Sequence, residues 1–76
     1  MHMSSGFLLV QTQPGRERDV YDRLERLPEV TGKHILFGSA IAVKIECPRE
    51  SIEPTARHMA KLDGVVGANL YRAKNN

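Results

Sequence analysis

The chain has 76 residues, 11 of them basic and 9 acidic, for a formal charge of +2, with a single cysteine. That length holds one domain, and the near-balanced charge gives no electrostatic footprint for nucleic acid. One cysteine excludes an internal disulfide, no Cys/His spacing suits zinc, and no apolar run nears the ~20 residues of a membrane span.

The opening "MHMSSG" lacks the apolar core of a signal peptide, and residues 1–5 read as a disordered start, a linker or a cloning remnant. The lone cysteine and the missing export signal point to the cytoplasm. "GFLLVQTQ" (6–13) then reads as a strand ending at the breaker Pro14-Gly15. Leu8 and Val10 face one way and Phe7 and Leu9 the other, so both faces are apolar, which suggests burial on both sides. "RERDVYDRLERL" (16–27) places Val20, Leu24 and Leu27 at helical spacing, with Tyr21 beside the stripe. The rest of that segment is charge, and Arg18–Asp22, Asp19–Arg23 and Asp22–Arg26 are spaced to pair along a solvated face.

Pro28 ends the helix, and "EVTGKHILF" (29–37) reads as a second strand. Gly38-Ser39 turns it into a third, 40–47, so that the two form a hairpin. Here Ile41, Val43, Ile45 and Cys47 alternate with Ala40, Ala42, Lys44 and Glu46. Beyond Pro48, the residues Ile52, Ala56, Met59 and Leu62 form a second helical stripe. Ser51 is placed to cap it, Pro54 falls in its first turn and Gly64 closes it. "VVGANLYR" (65–72) is the last strand, and 74–76 form a polar tail.

The order β-α-β-β-α-β contains an internal repeat: "RLPEVTG" (26–32) and "KLDGVVG" (61–67) each close a helix and open a strand, with leucine, valine and glycine in matching places. Two such halves with right-handed crossovers predict an α+β, ferredoxin-like fold: a four-stranded antiparallel sheet with two helices on one face. The other sheet face is left apolar and uncovered, which invites a partner, and a twofold dimer is the simplest solution. The expected interface residues are Ala40, Ala42, Leu8, Val10, Ala68 and Leu70.

No catalytic constellation emerges. His2, His34 and His58 are scattered, Cys47 closes an apolar face as a buried inert thiol, and no glycine-rich phosphate loop or acylphosphatase pattern is present. Neither a catalytic residue nor a metal ligand nor a cofactor is assigned. A small dimeric ferredoxin-like enzyme, such as a cofactor-free monooxygenase, needs an inward cavity lined by groups such as His34 or Tyr71, whereas the inward sets read here are aliphatic.

"FLLVQTQPGRERDVYDRLERLPEV", the "LFG" at 36–38 and the "LDGV" at 62–65, in that order and spacing, resemble the effector-sensing (RAM) domain of the Lrp/AsnC family over residues 6–73. The resemblance implies a stand-alone sensor domain, since no helix-turn-helix precedes it. It implies homodimers built sheet on sheet that assemble further into tetramers or octamers, and a full-length regulator of the same family as another partner. It also implies a small effector, typically an amino acid, bound near the hairpin at Phe37, Gly38, Ser39 and Ala40, in the regulation of transcription or amino-acid metabolism. The hairpin departs from the family's Gly-x-Tyr-Asp by carrying Ala40 and Ile41 in the last two places. "MHMSSGFLLVQ" and "DGVVGANLYR" also resemble the two ends of the NapD family, which would use the free face to bind a twin-arginine signal peptide.

Overall fold

The computed structural model describes residues 3–72. Its elements run β1 (Met3–Thr12), α1 (Glu17–Leu24), β2 (Val30–Leu36), β3 (Ala40–Pro48), a 3-10 turn (Arg49–Ser51), α2 (Ile52–Ala60) and β4 (Val65–Arg72). The strands form one antiparallel sheet in the order β2-β3-β1-β4. This is the expected ferredoxin-like plan, with β3 and β1 central and β2 and β4 at the edges.

β1 starts earlier than expected. Met3, Ser4 and Ser5 pair with Pro48, Cys47 and Glu46, so these residues belong to the sheet rather than to a disordered lead. Long strands propagate wherever a partner offers ladder groups, and β3 runs far enough to offer them. Residues 1–2 and the polar tail at 74–76 lie outside the described residues.

The core lies between the sheet and the helices. Leu8, Val10, Ile41, Val43, Ile45 and Cys47 from the sheet meet Val20 and Leu24 of α1 and Ile52 and Met59 of α2. α1 is shorter than its sequence pattern, ending at Leu24 rather than Leu27. Pro28 disfavours helical backbone at the residue before it, and the chain turns instead through Leu24–Leu27. Leu27 still packs against the core from outside the helix.

The internal repeat is structural. The Val30 N–H donates to the Leu27 carbonyl (3.1 Å), and the Val65 N–H donates to the Leu62 carbonyl (3.0 Å). The matching leucine and valine are thus the first and last residues of the same turn, used twice to leave a helix and enter a strand. In the second copy Gly64 adopts φ +90°, and a Cβ there would come within 3.0 Å of the buried Val20 side chain. Its role is therefore the turn into β4, since α2 has already ended at Ala60. Ser51 makes no capping bond from its side chain. It is already in helical backbone at the end of the 3-10 turn, so its hydroxyl is not placed at a free helix end.

The ion pairs differ from those read along α1. Arg16 bonds Asp19 (3.1 Å) and Asp63 (2.9 Å), Arg23 approaches Asp63 (3.7 Å), and Lys33 bonds Glu25 (2.9 Å) while lying 4.5 Å from the Tyr21 ring centre. Apart from the Arg16–Asp19 pair at the start of α1, these charges reach β2 and the α2–β4 turn. The Lys33 hydrogen bond holds the Glu25 carboxyl below its ordinary 4.5, and the Arg16 hydrogen bond holds Asp63 below 3.8. Such carboxylates take up protons more readily when unfolded. Their stabilisation is complete above the unfolded values and is lost as pH falls through the lower folded ones. The melting temperature is therefore expected to hold steady above about pH 5.5 and to fall below about pH 4.5. Asp63→Asn should flatten part of that fall in a pH series of thermal melts, and an identical profile for the variant would remove Asp63 from the cause.

Candidate functional site

Residues paired across an antiparallel ladder share a face, so the strand registers map the side of the sheet away from the helices. Its first row is Leu36, Ala40, Gln11 and Gly67; its second is His34, Ala42, Leu9 and Asn69; its third is Gly32, Lys44, Phe7 and Tyr71. Glu46 and Ser5, then Pro48 and Met3, extend it along the central strands. Phe7, Leu36, Tyr71 and Met3 are each about half exposed or more. Ala40 and Ala42 lie between the larger residues of β1 and β2, giving β3 a low floor.

This map corrects four of the six expected interface residues. Leu8 and Val10 are 2% and 0% exposed and belong to the core under the helices. Ala68 and Leu70 pair with Val10 and Leu8 and pack against that same core. Ala40 and Ala42 alone of the six lie on the open face, and the missed members are Phe7, Leu9, Leu36 and Tyr71. β1 is apolar on both sides, so its alternation does not say which side meets the helices. The signal that decides it is pairing: Leu9 lies opposite Ala42, whose neighbours Ile41 and Val43 are core. His34 and Tyr71 also lie on this face, which removes them from any inward cavity.

The open face runs into an open cavity of about 720 Å³ at the β2–β3 hairpin, lined by Leu9, Ile35, Leu36, Phe37 and Ala40. Of the four residues expected to contact a ligand, Phe37 and Ala40 line this cavity. Phe37 stands at the tip with its side chain fully exposed. Gly38 holds φ +68°, the left-handed conformation that the turn needs and glycine supplies at least cost. The Ser39 hydroxyl donates instead to Glu17 Oε2 (2.9 Å), and this hydrogen bond is the main cause that holds the Glu17 carboxyl below its ordinary value. Among the described residues no group of three or more His, Cys, Asp or Glu side chains could hold a metal ion, and no helix is long and apolar enough to cross a membrane.

No family model and no curated protein matches the sequence. Solved structures do match. The crystal structure of FFRP-DM1, of the Lrp/AsnC family, superposes with a TM-score of 0.85 at 23% identity, over 93% of this chain and 99% of that one. The solution structure of the E. coli Tat proofreading chaperone NapD gives 0.82 at 18% identity, over 100% of this chain and 82% of that one. E. coli AsnC gives 0.74 at 16% identity, over 96% of this chain and 52% of AsnC, so the chain corresponds to about half of that protein. These neighbours are regulators and a chaperone rather than enzymes. At such identities the likeness is one of fold, a fold that this chain has in common with FFRP-DM1, NapD and part of AsnC.

Proposed function

We propose that this chain is a non-enzymatic ligand-binding module of the Lrp/AsnC type. In this reading it self-associates through its open sheet face, takes a small effector at the hairpin cavity, and serves the regulation of transcription or amino-acid metabolism. The observation that carries it is the continuity of the two surfaces: Leu9, Leu36 and Ala40 belong both to the open face and to the cavity. A second copy on the face would close the open side of the cavity and shield a ligand there. The apolar lining favours an amino acid with an apolar side chain, whose burial contributes roughly 25 cal/mol per Å².

The test joins mass in solution to a thermal-shift panel of amino acids. The expected result is a dimer or larger species, with a raised melting temperature for apolar members of the panel. A ligand present at 100 times its Kd adds about 2.7 kcal/mol to stability. A flat panel would remove the effector reading and leave the self-association.

A NapD-like reading is favoured by the superposition over the whole of this chain. It predicts a monomer whose free face binds a twin-arginine peptide. Charge argues against it: Glu46, the carboxylate that β3 presents on this face, lies 3.4 Å from Lys44, and the chain is itself positive. A concentration-independent monomer that binds such a peptide would reverse the order of the two readings.

A further inference from the structure

The hairpin at the cavity is held by more than its own ladder. The Thr12 N–H donates to the Ser39 carbonyl (2.7 Å), and the Thr12 hydroxyl points to the same oxygen (3.4 Å). From the same residue, the Ser39 hydroxyl donates to Glu17 Oε2. That same carboxylate oxygen accepts the Gly15 N–H at 3.1 Å. One oxygen thus joins three places: the β1–α1 corner, the first residue of α1 and the hairpin 22 residues away. Ser39 itself is half-buried, whereas Phe37 and Gly38 have no such anchor in their surroundings: Phe37 is fully exposed and nothing lies within 4 Å of a Cβ placed on Gly38.

We propose that Glu17 is the positioning residue of the hairpin. By holding Ser39 from below the sheet end, it fixes where the flanking Phe37 and Ala40 stand, and so sets the width of the cavity they line. Removing the carboxylate loosens the tip, which keeps the Thr12 bond, and breaks no hydrogen bond to a core residue. The arrangement also divides ligands into two kinds. One that lies against Leu36, Phe37 and Ala40 finds its wall already placed. One that needs the Ser39 hydroxyl must first displace Glu17. The consequence for ligands rests on reading the hairpin cavity as the binding site; the tether itself does not.

The test is amide hydrogen exchange on the full chain, comparing the wild type with Glu17→Ala, Ser39→Ala, the double variant and Glu17→Gln. In the wild type the amides of Leu36 and Ala40, paired across the ladder on either side of the turn, are expected to be protected. Each alanine variant should speed their exchange by roughly threefold to tenfold, the range that one hydrogen bond controls, with no change at residues 43–47. Because both side chains serve one bond, the double variant should match either single one. Glu17→Gln keeps an acceptor and should retain most of the protection. Three results would overturn the proposal: unprotected hairpin amides in the wild type, equal acceleration across the sheet, or a Glu17→Ala effect undiminished in the Ser39→Ala background. The last would mean that Glu17 acts through Gly15 alone. No ligand enters this experiment, so its outcome and that of the amino-acid panel are independent.

Discussion

On the proposed sheet-on-sheet association, a chain carrying Ala42→Arg is expected to fold normally and to sediment as a monomer at concentrations where the wild type would pair. Ala42 lies mid-face between His34 and Leu9, with its side chain on the helix-free side of the sheet. In a single copy an arginine there points into water and disturbs none of the buried residues. Between two stacked sheets the space is only about 10 Å and is filled by interleaved side chains. A twofold axis places both arginines in the same interface. An unpaired buried charge costs about 3–5 kcal/mol, so two of them weaken the dimer by at least about 6 kcal/mol. That corresponds to a dissociation constant raised at least about ten-thousandfold. Sedimentation velocity across a concentration series reads the change, and a melt in the monomeric range checks that the fold survives. A variant that stays dimeric with unchanged affinity would place the contact somewhere other than this face.

The second large effect is in the core. Leu24→Ala removes a side chain with no exposed surface, packed where α1 meets the sheet. Truncating a buried leucine costs about 2–5 kcal/mol, part of it for the cavity left behind. At about 0.05–0.15 kcal/mol per residue, a chain of 76 residues has roughly 4–11 kcal/mol in total. The variant should therefore melt at least about 10 °C lower and lie close to the folding threshold at body temperature. Ile45→Val, at an equally buried position, should cost only about 0.5–1.5 kcal/mol. Both are best measured at low protein concentration, because any self-association would stabilise the folded state by mass action. A loss under about 1 kcal/mol for Leu24→Ala would mean that α1 repacks freely over the sheet, contrary to its position in the core.

The fold was legible in the sequence for local reasons. The Pro14-Gly15 corner, the alternation of 40–47 and the helical stripes each act within a few residues, and together they fix the order of elements. The repeat of "RLPEV" and "KLDGV" was legible for the same reason, since each is a single turn. The open face was harder. Which side of β1 meets the helices depends on how Leu9 aligns with Ala42, 33 positions away in the register map, and no local pattern encodes that alignment. The Gly38-Ser39 corner was legible as a turn, which it is, yet the partner of Ser39 was invisible. Glu17 looks like any acidic residue in a first helical turn until the fold brings the hairpin alongside it. The charge pairs along α1 failed for the complementary reason: spacing predicts neighbours on an isolated helix, and this helix is never isolated.

Cys47, 3% exposed and the only thiol of the chain, gives the molecule a chemical clock. A thiol reagent in solution cannot reach it in the closed state, so labelling proceeds only through molecules whose β3 has come away from the helices. With reclosing fast, the labelling rate reports the fraction of time the structure spends open, with no dye or engineered probe. Anything that binds the closed form lengthens the wait before the sulfur is seen. An amino acid in the hairpin cavity and a second copy on the open face would each slow the same reaction. Only the second would do so in proportion to the protein's own concentration.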